Sequence, residues 1–508
     1  MKHINKFLLL FTALSIFTGC DNFEKLNTDP DTATTVPSSM LATKVIYEVV
    51  RKDRTVKEYV NDGVLAKQIV WNEGVSDLQY NNIGRGDFDG FLQVVNCNDM
   101  VAKSPGQKGY EGLALFSKAY LLYYISLNIG DIPYTNAGQG EEGNPRPKYE
   151  TQKEVMLGIL NDLEKAYQCF SEADDMAFEG DIIFSGNKEN WKKTVTAFQL
   201  KVLMNLSKKE NESDLNLKSR FAGIVQNGSL MTSNADNFQL VYKDQQGMKY
   251  PFNDLTSNQT KYAMMSSVLV DQMTEYGDYR LFYYGEPSIA KINEGKEESD
   301  FDAYVGVDPS LPYGDVSKAH GANLFCRPNL RYISESHVEG EPLIRLGYSE
   351  QQFLLAEACL RGWISGNTSE YYKKGIEAHM KFVKDYTPEE YAHGRVITND
   401  YIASYLANDK IQLTGSFEKD LEKIIIQKYI SYYLQHTYEA YYDYRRTGYP
   451  VLPINPESSK NVTAPDRIPV RYMYPEREYN YNRENLEEAL SRQFGGSDNI
   501  NDIMWILK

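Results

Sequence analysis

Leu113, Phe116, Tyr120, Tyr123 and Leu127 follow one another along residues 111–134 in steps of three, four, three and four. That spacing draws one apolar, aromatic stripe down a helix of about four turns. Gly130 offers the residue that closes such a helix, and Pro133 prevents its resumption. A lone helix of this kind is not stable in water, so its stripe must be buried against neighbours. The chain therefore has to supply several more helices to cover it.

It does. Ser38 or Ser39 can cap a helix over residues 40–50, and further helices are predicted over 57–71 and 91–103. Thr151 and Glu154 have capping-box spacing ahead of Val155, Ile159, Leu163 and Ala166 on one face. Trp191, Val195, Phe198, Val202 and Leu206 repeat the pattern behind a candidate Asn187 or Asn190 cap. A shorter helix over 215–226 ends at Gly228. Helix after helix joined by short turns predicts a mainly α fold, a tetratricopeptide-like scaffold of helical hairpins. Residues 231–342 differ: they are rich in Gly, Asn, Asp, Pro and Tyr, with one predicted helix at 266–276. Helices return over 349–364, 369–385 and 421–446, and a tail with a last helix at 484–494 completes the chain. The expected organisation is scaffold at about 40–230 and 345–450, a loop-rich inserted subdomain at about 231–344, and a tail at 451–508. Inserted loops on a rigid scaffold are where binding sites tend to lie.

Charge and motifs exclude several functions. The chain carries a net −16, and nucleic-acid binding depends on basic side chains meeting phosphates, so no nucleic-acid partner is expected. The five cysteines, at 20, 97, 169, 326 and 359, include no C-x-x-C pair, which argues against a cysteine metal or redox centre. The six histidines show no H-E-x-x-H spacing, and there is neither a G-x-S-x-G elbow nor a P-loop. No cofactor, metal or catalytic residue is expected. A glycosidase is the enzymatic alternative, because sugar hydrolysis needs only two suitably spaced carboxylates among the 70 acidic residues. The 39 tyrosines outnumber 21 Phe and 4 Trp. Tyrosine joins a flat apolar face to a polar tip, and most copies should pack between helices while some on loops can meet a ligand.

The N-terminus points to export. MKHINK is basic, residues 7–17 are apolar, and Thr18-Gly19-Cys20 comes next. The run is too short to span a membrane and reads as a signal peptide over residues 1–19. FTGC resembles the bacterial lipobox, with Phe17 in place of the usual aliphatic residue. That resemblance makes Cys20 the lipidation site, and residues 20–39, with Pro30 and Pro37, an extended leader. Removing the signal also removes two lysines and no acid, leaving the mature chain more acidic still.

Several segments in order resemble the SusD/RagB family of nutrient-binding lipoproteins of Bacteroidetes type. They are the aromatic helix ending Gly130-Asp131-Ile132-Pro133-Tyr134; Asn190-Trp191; Ala356-Glu357-Ala358 with Tyr371-Tyr372 and Gly375-Ile376-Glu377-Ala378; Gln427-Lys428-Tyr429 through Asp443-Tyr444-Arg445-Arg446; and Arg467-Ile468-Pro469 with Tyr474-Pro475-Glu476-Arg477-Glu478. The resemblance implies a lipid-anchored protein on the outer face of the outer membrane. It also implies a SusC-like TonB-dependent barrel transporter as partner, and non-catalytic capture of oligosaccharides or, in some members, peptides.

A sugar site needs aromatic faces for the apolar side of the ring and planar polar groups for its hydroxyls. Two loop regions supply both. The first holds Trp71, Asn72, Tyr80, Asn82, Arg85 and Asp87, and the second Tyr283, Tyr284, Tyr304, Tyr313 and Arg327. Trp71 serves equally well as a core residue closing its helix. Arg445 and Arg446 are expected to favour the C-terminal end of theirs.

Overall fold

The computed structural model describes residues 36–51, 56–141, 143–252 and 259–508. Cys20, the signal peptide and most of the leader lie outside the described residues. The fold is mainly helical. Helix α1 (Ser38–Val50) and α2 (Val56–Leu65) lead to a short strand β1 (Ile69–Trp71). Then come α3 (Gly90–Lys103), α4 (Lys108–Ile129), α5 (Gln152–Glu172), α6 (Lys188–Asn205) and α7 (Leu217–Asn227). The middle of the chain contributes β2 (Phe238–Leu240), α8 (Gln259–Tyr262), β3 (Ala263–Met265), α9 (Ser267–Tyr276), α10 (Arg280–Tyr284), α11 (Ile289–Asn293), α12 (Tyr313–Gly321) and β4 (Leu343–Leu346). The last part is α13 (Tyr348–Leu360), α14 (Thr368–Asp385), α15 (Asn399–Ala407), α16 (Phe417–Ser431), α17 (Tyr438–Thr447), α18 (Glu476–Tyr481) and α19 (Arg483–Phe494).

Helix α4 is the centre of the packing. Its predicted stripe is buried, and Ala119, Leu122 and Ile129 on its other sides are fully buried as well. Neighbours α3 and α5 both lie against it. It ends at Gly130 with φ 113 and ψ −124, a positive-φ conformation outside the left-handed helical region that only glycine adopts easily. Helix α5 starts with the predicted capping box, the Thr151 side chain accepting from Glu154 N while Glu154 accepts in return. Helix α6 is capped by Asn187, and Trp191 beneath it is fully buried, stacked on Phe170 at 5.5 Å. One apolar core gathers α1 and α3 to α7 with the C-terminal tail, and a second gathers the middle of the chain with α14 to α16.

Four expectations are corrected. The helix predicted over 57–71 stops at Leu65, Lys67 turns the chain at φ 58, and Ile69, Val70 and Trp71 form a strand. Two β-branched residues followed by an aromatic, all buried, suit a strand paired on its edge with β3. Residues 421–446 are two helices, broken where Leu434 takes φ 52 and where Gln435 bonds Ile344 N and Glu341. The middle region holds α8, α10, α11 and α12 besides the predicted α9. Ser38 does not cap α1; its hydroxyl donates to Met100 O at 3.1 Å.

Several polar residues of the segments behind the family resemblance form buried clamps. Asp131 accepts Gln152 N at 2.8 Å and Arg492 Nη2 at 2.7 Å, tying the end of α4 to α5 and α19. Arg445 lies in the last turn of α17, as expected, but its hydrogen bonds reach beyond that helix. Its Nη1 donates to Leu127 O and Val470 O, and its guanidinium lies over Tyr441 and Tyr442, 4.8 Å from each ring. Arg446 turns inward to Glu357. The four cysteines among the described residues are free thiols, and burial pushes Cys97 and Cys326 up to about 12.

Candidate functional site

The antiparallel pair β1–β3 sets Trp71 opposite Ala263 and so brings the end of β1 beside α8. The next residue, Asn72, is a hydrogen-bonding hub between three chain segments. Its N–H donates to Tyr262 O at 3.1 Å, its carbonyl accepts from Tyr313 Oη at 3.2 Å, and its Oδ1 accepts from Ser317 Oγ at 2.9 Å. Tyr313, Ser317 and His320 stand four and three residues apart on α12, hence on one helical face. Val316 on the other side is buried and holds that helix against β1 and β3.

Four rings then run in series across three separate chain segments. Trp71 meets Tyr262 edge-on at 6.3 Å. Tyr262 stacks on His320 at 6.0 Å with an interplanar angle of 26°, and His320 stacks on Phe325 at 5.0 Å and 15°. His320 Nε2 lies 3.3 Å from Lys261 O. Trp71 is buried, whereas Tyr262, Tyr313, His320 and Phe325 are half-buried and keep part of each ring in solvent. Tyr80, expected on an open loop, is buried instead and anchors the chain ahead of α12, its hydroxyl donating to Leu311 O at 3.0 Å. Burial raises its phenol above the ordinary value, so it stays a protonated donor.

The other sequence-derived residues sort differently. Arg85 turns to the C-terminal tail, donating to Tyr474 O at 2.7 Å and pairing with Asp498 and Glu476 at 3.1 Å each. Asn82 faces Asp77 at 3.5 Å, and Asp87 accepts Asp89 N at 3.0 Å, so both shape the loop. Tyr283, Tyr284 and Tyr304, expected on open loops, are core residues instead. Tyr283 Oη accepts Ile397 N, Tyr284 Oη donates to Ile430 O, and Tyr304 packs on Phe282 at 4.8 Å. Their rings have no face left for a ligand. Arg327 is exposed beyond buried Cys326. Sequence reasoning missed Tyr262, His320 and Phe325, which no spacing connects and which the β1–β3 pairing and the docking of α12 bring together.

Among the described residues, no group of three or more His, Cys, Asp or Glu is placed to hold a metal ion. Nor is any helix among them long and apolar enough to cross a membrane.

Residues 30–475 match the SusD-like family model described as starch-binding and associating with the outer membrane. A SusD homologue from Bacteroides fragilis is similar in structure, with 50% sequence identity and a TM-score of 0.89 over 93% of this chain and 100% of that one. A Bacteroides vulgatus structure, described as an outer membrane protein connected with nutrient binding, shares 36% identity and a TM-score of 0.84 over the same fractions. A second SusD homologue from Bacteroides fragilis shares 32% identity with a TM-score of 0.82, again over 93% of this chain and 100% of that one. No protein with a curated description matches this chain. A family match over most of the chain, together with the 50% identity to a SusD homologue, establishes that this chain belongs to the SusD-like family.

Proposed function

We propose that the protein is a lipid-anchored, non-catalytic glycan-binding protein of the outer cell surface that passes oligosaccharides to a SusC-like TonB-dependent barrel transporter. The observation that carries the glycan reading is the half-exposed series Tyr262, His320 and Phe325, backed by Trp71 and flanked by the Asn72 hub. The exposed edges of this ring stack, with the outer faces of its end rings, meet the C–H side of sugars, while Tyr313, Ser317 and Asn72 supply hydroxyl and amide groups at its margin. The fold holds these groups on paired strands and a helix, so little ordering cost falls on binding. The family description as starch-binding supports the same reading. Hydrolysis would need two free carboxylates facing each other across a bond. Two acids of this region are already engaged, Asp315 with Lys318 at 2.7 Å and Asp308 with Ser310 N and Oγ at 2.8 Å.

The test has two arms. The purified protein is incubated with oligosaccharides and, separately, with peptides, while binding and reducing ends are followed. Binding of oligosaccharide without new reducing ends is expected; reducing ends that accumulate, or selective binding of peptides, overturn the reading. Detergent extraction of native membranes should bring a large β-barrel with this chain. A clean preparation lacking one contradicts the transporter partnership.

A further inference from the structure

The ring series is bordered by positive charge that the fold does not use. Lys261 directly precedes Tyr262, is exposed, and holds its ammonium 5.5 Å from that ring's centroid. Arg327 lies at the other end, two residues beyond Phe325, and is exposed as well. Between them Cys326 is fully buried, its carbonyl accepting Met265 N at 2.7 Å and its N–H donating to Val305 O at 2.8 Å. That locked residue directs its two neighbours outward. Neither Lys261 nor Arg327 has an ion-pair partner among the described residues, although the chain as a whole carries −16 and most cations here do pair. Lys318, on the same helix as His320, shows the usual outcome in its 2.7 Å pair with Asp315.

The nearby acids are held by other partners, and none of them pairs with these two cations among the described residues. Asp308 bonds Ser310, Asp315 is held by Lys318, and Glu286 accepts Leu330 N at 2.7 Å and faces His393. Glu73, exposed beside Asn72, carries the opposite charge at the same margin, and it forms an ion pair with neither cation. The remaining negative charge of the chain acts from farther away, and at physiological salt charges beyond about 8 Å are largely screened. What a bound molecule meets at close range is therefore aromatic surface with a cation at either end.

We infer that this platform takes an acidic saccharide, one whose rings lie along Tyr262, His320 and Phe325 and whose carboxylate or sulfate groups meet Lys261 and Arg327. The inference rests on the platform being a glycan site, and names the class of glycan. Arg327 offers a planar fork that fits carboxylate or sulfate in two-point contact, and Lys261 a point charge. Carboxylate and sulfate share this chemistry, and the test separates them.

The full-length protein in detergent is titrated with matched pairs that differ only in charge. One pair is oligogalacturonides and their methyl esters; the other is sulfated galactan oligosaccharides and their desulfated forms. One charged member is expected to bind about tenfold tighter than its neutral partner, with the advantage shrinking as salt is raised. The Lys261→Ala, Arg327→Ala double variant should bring the ratio close to one. Which pair shows the preference identifies the anion. Equal or tighter binding of the neutral members, or a preference that survives the double variant, overturns the acidic-saccharide inference. If no acidic or esterified member binds while neutral glucans do, that inference fails and the platform stands. If no saccharide binds at all, the platform reading itself has failed.

Discussion

Arg446 and Glu357 form a two-point ion pair in the interior, Nη2 lying 2.8 Å from Oε2 while Nη1 contacts Oε1. It joins α17 to α13, and Asp443, 2.8 Å from Arg446 and 2.7 Å from Lys428, extends it to α16. Removing one member strands the other charge out of water. Glu357→Ala should therefore cost roughly 3–5 kcal/mol, read as a lower denaturant midpoint. Burial by itself would raise the Glu357 carboxyl, but Arg446, with Arg361 and Lys428 behind it, holds it at about 2 against an ordinary 4.5. The folded pKa is the lower one, so this stabilisation is fully present above pH 4.5 and is lost as pH falls toward 2. Its size is roughly 3 kcal/mol. Glu357→Gln should flatten the fall in stability over that window, and an unchanged slope would contradict the assignment.

Lys67 carries the opposite sign. It is buried at the turn into β1, with Nζ donating to Gln79 O. Burial lowers its ammonium from 10.5 to about 7, with only Asp308 opposing. The unfolded chain then holds the proton more tightly, so stability rises as pH climbs from about 7 toward 10.5. Between pH 7 and 9 the gain is about 2 kcal/mol. Lys67→Met should abolish it, as measured by melting curves at the two pH values.

Trp191 is fully buried against Phe116, Phe170 and Phe238, and its indole N–H donates to Asp181 at 2.8 Å. Trp191→Ala should cost about 3–5 kcal/mol through the cavity it leaves. Chemical denaturation measures this directly, and a cost below about 1 kcal/mol would show that the core collapses around the site.

On the proposed lipid anchor at Cys20, Cys20→Ser should release the protein from membranes into the soluble fraction. Continued membrane attachment after fractionation would show that something else holds it.

The helical scaffold was legible because each helix buries one face at a regular spacing, as Leu113 to Leu127 and Trp191 to Leu206 do. Strand β1 was not, because three consecutive buried residues have no alternation to read. The break at Leu434 was hidden for a similar reason: residues on both sides are buried, and the chain turns there so that Gln435 can satisfy β4. Of the proposed site, Asn72 and Tyr313 were legible as loop-borne polar and aromatic groups. Tyr283, Tyr284 and Tyr304 looked equivalent in sequence, and only packing separates them. Tyr262, His320 and Phe325 become neighbours through the β1–β3 pairing and the docking of α12, neither of which leaves a spacing in the chain.

The platform is tested most directly by calorimetric titration of a bound oligosaccharide against the wild-type protein and the Tyr262→Ala, His320→Ala double variant, with melting temperatures measured alongside. The account predicts at least about a tenfold loss of affinity with the melting temperature nearly unchanged, because both rings are half-buried at the surface. Undiminished affinity in a folded double variant would contradict it.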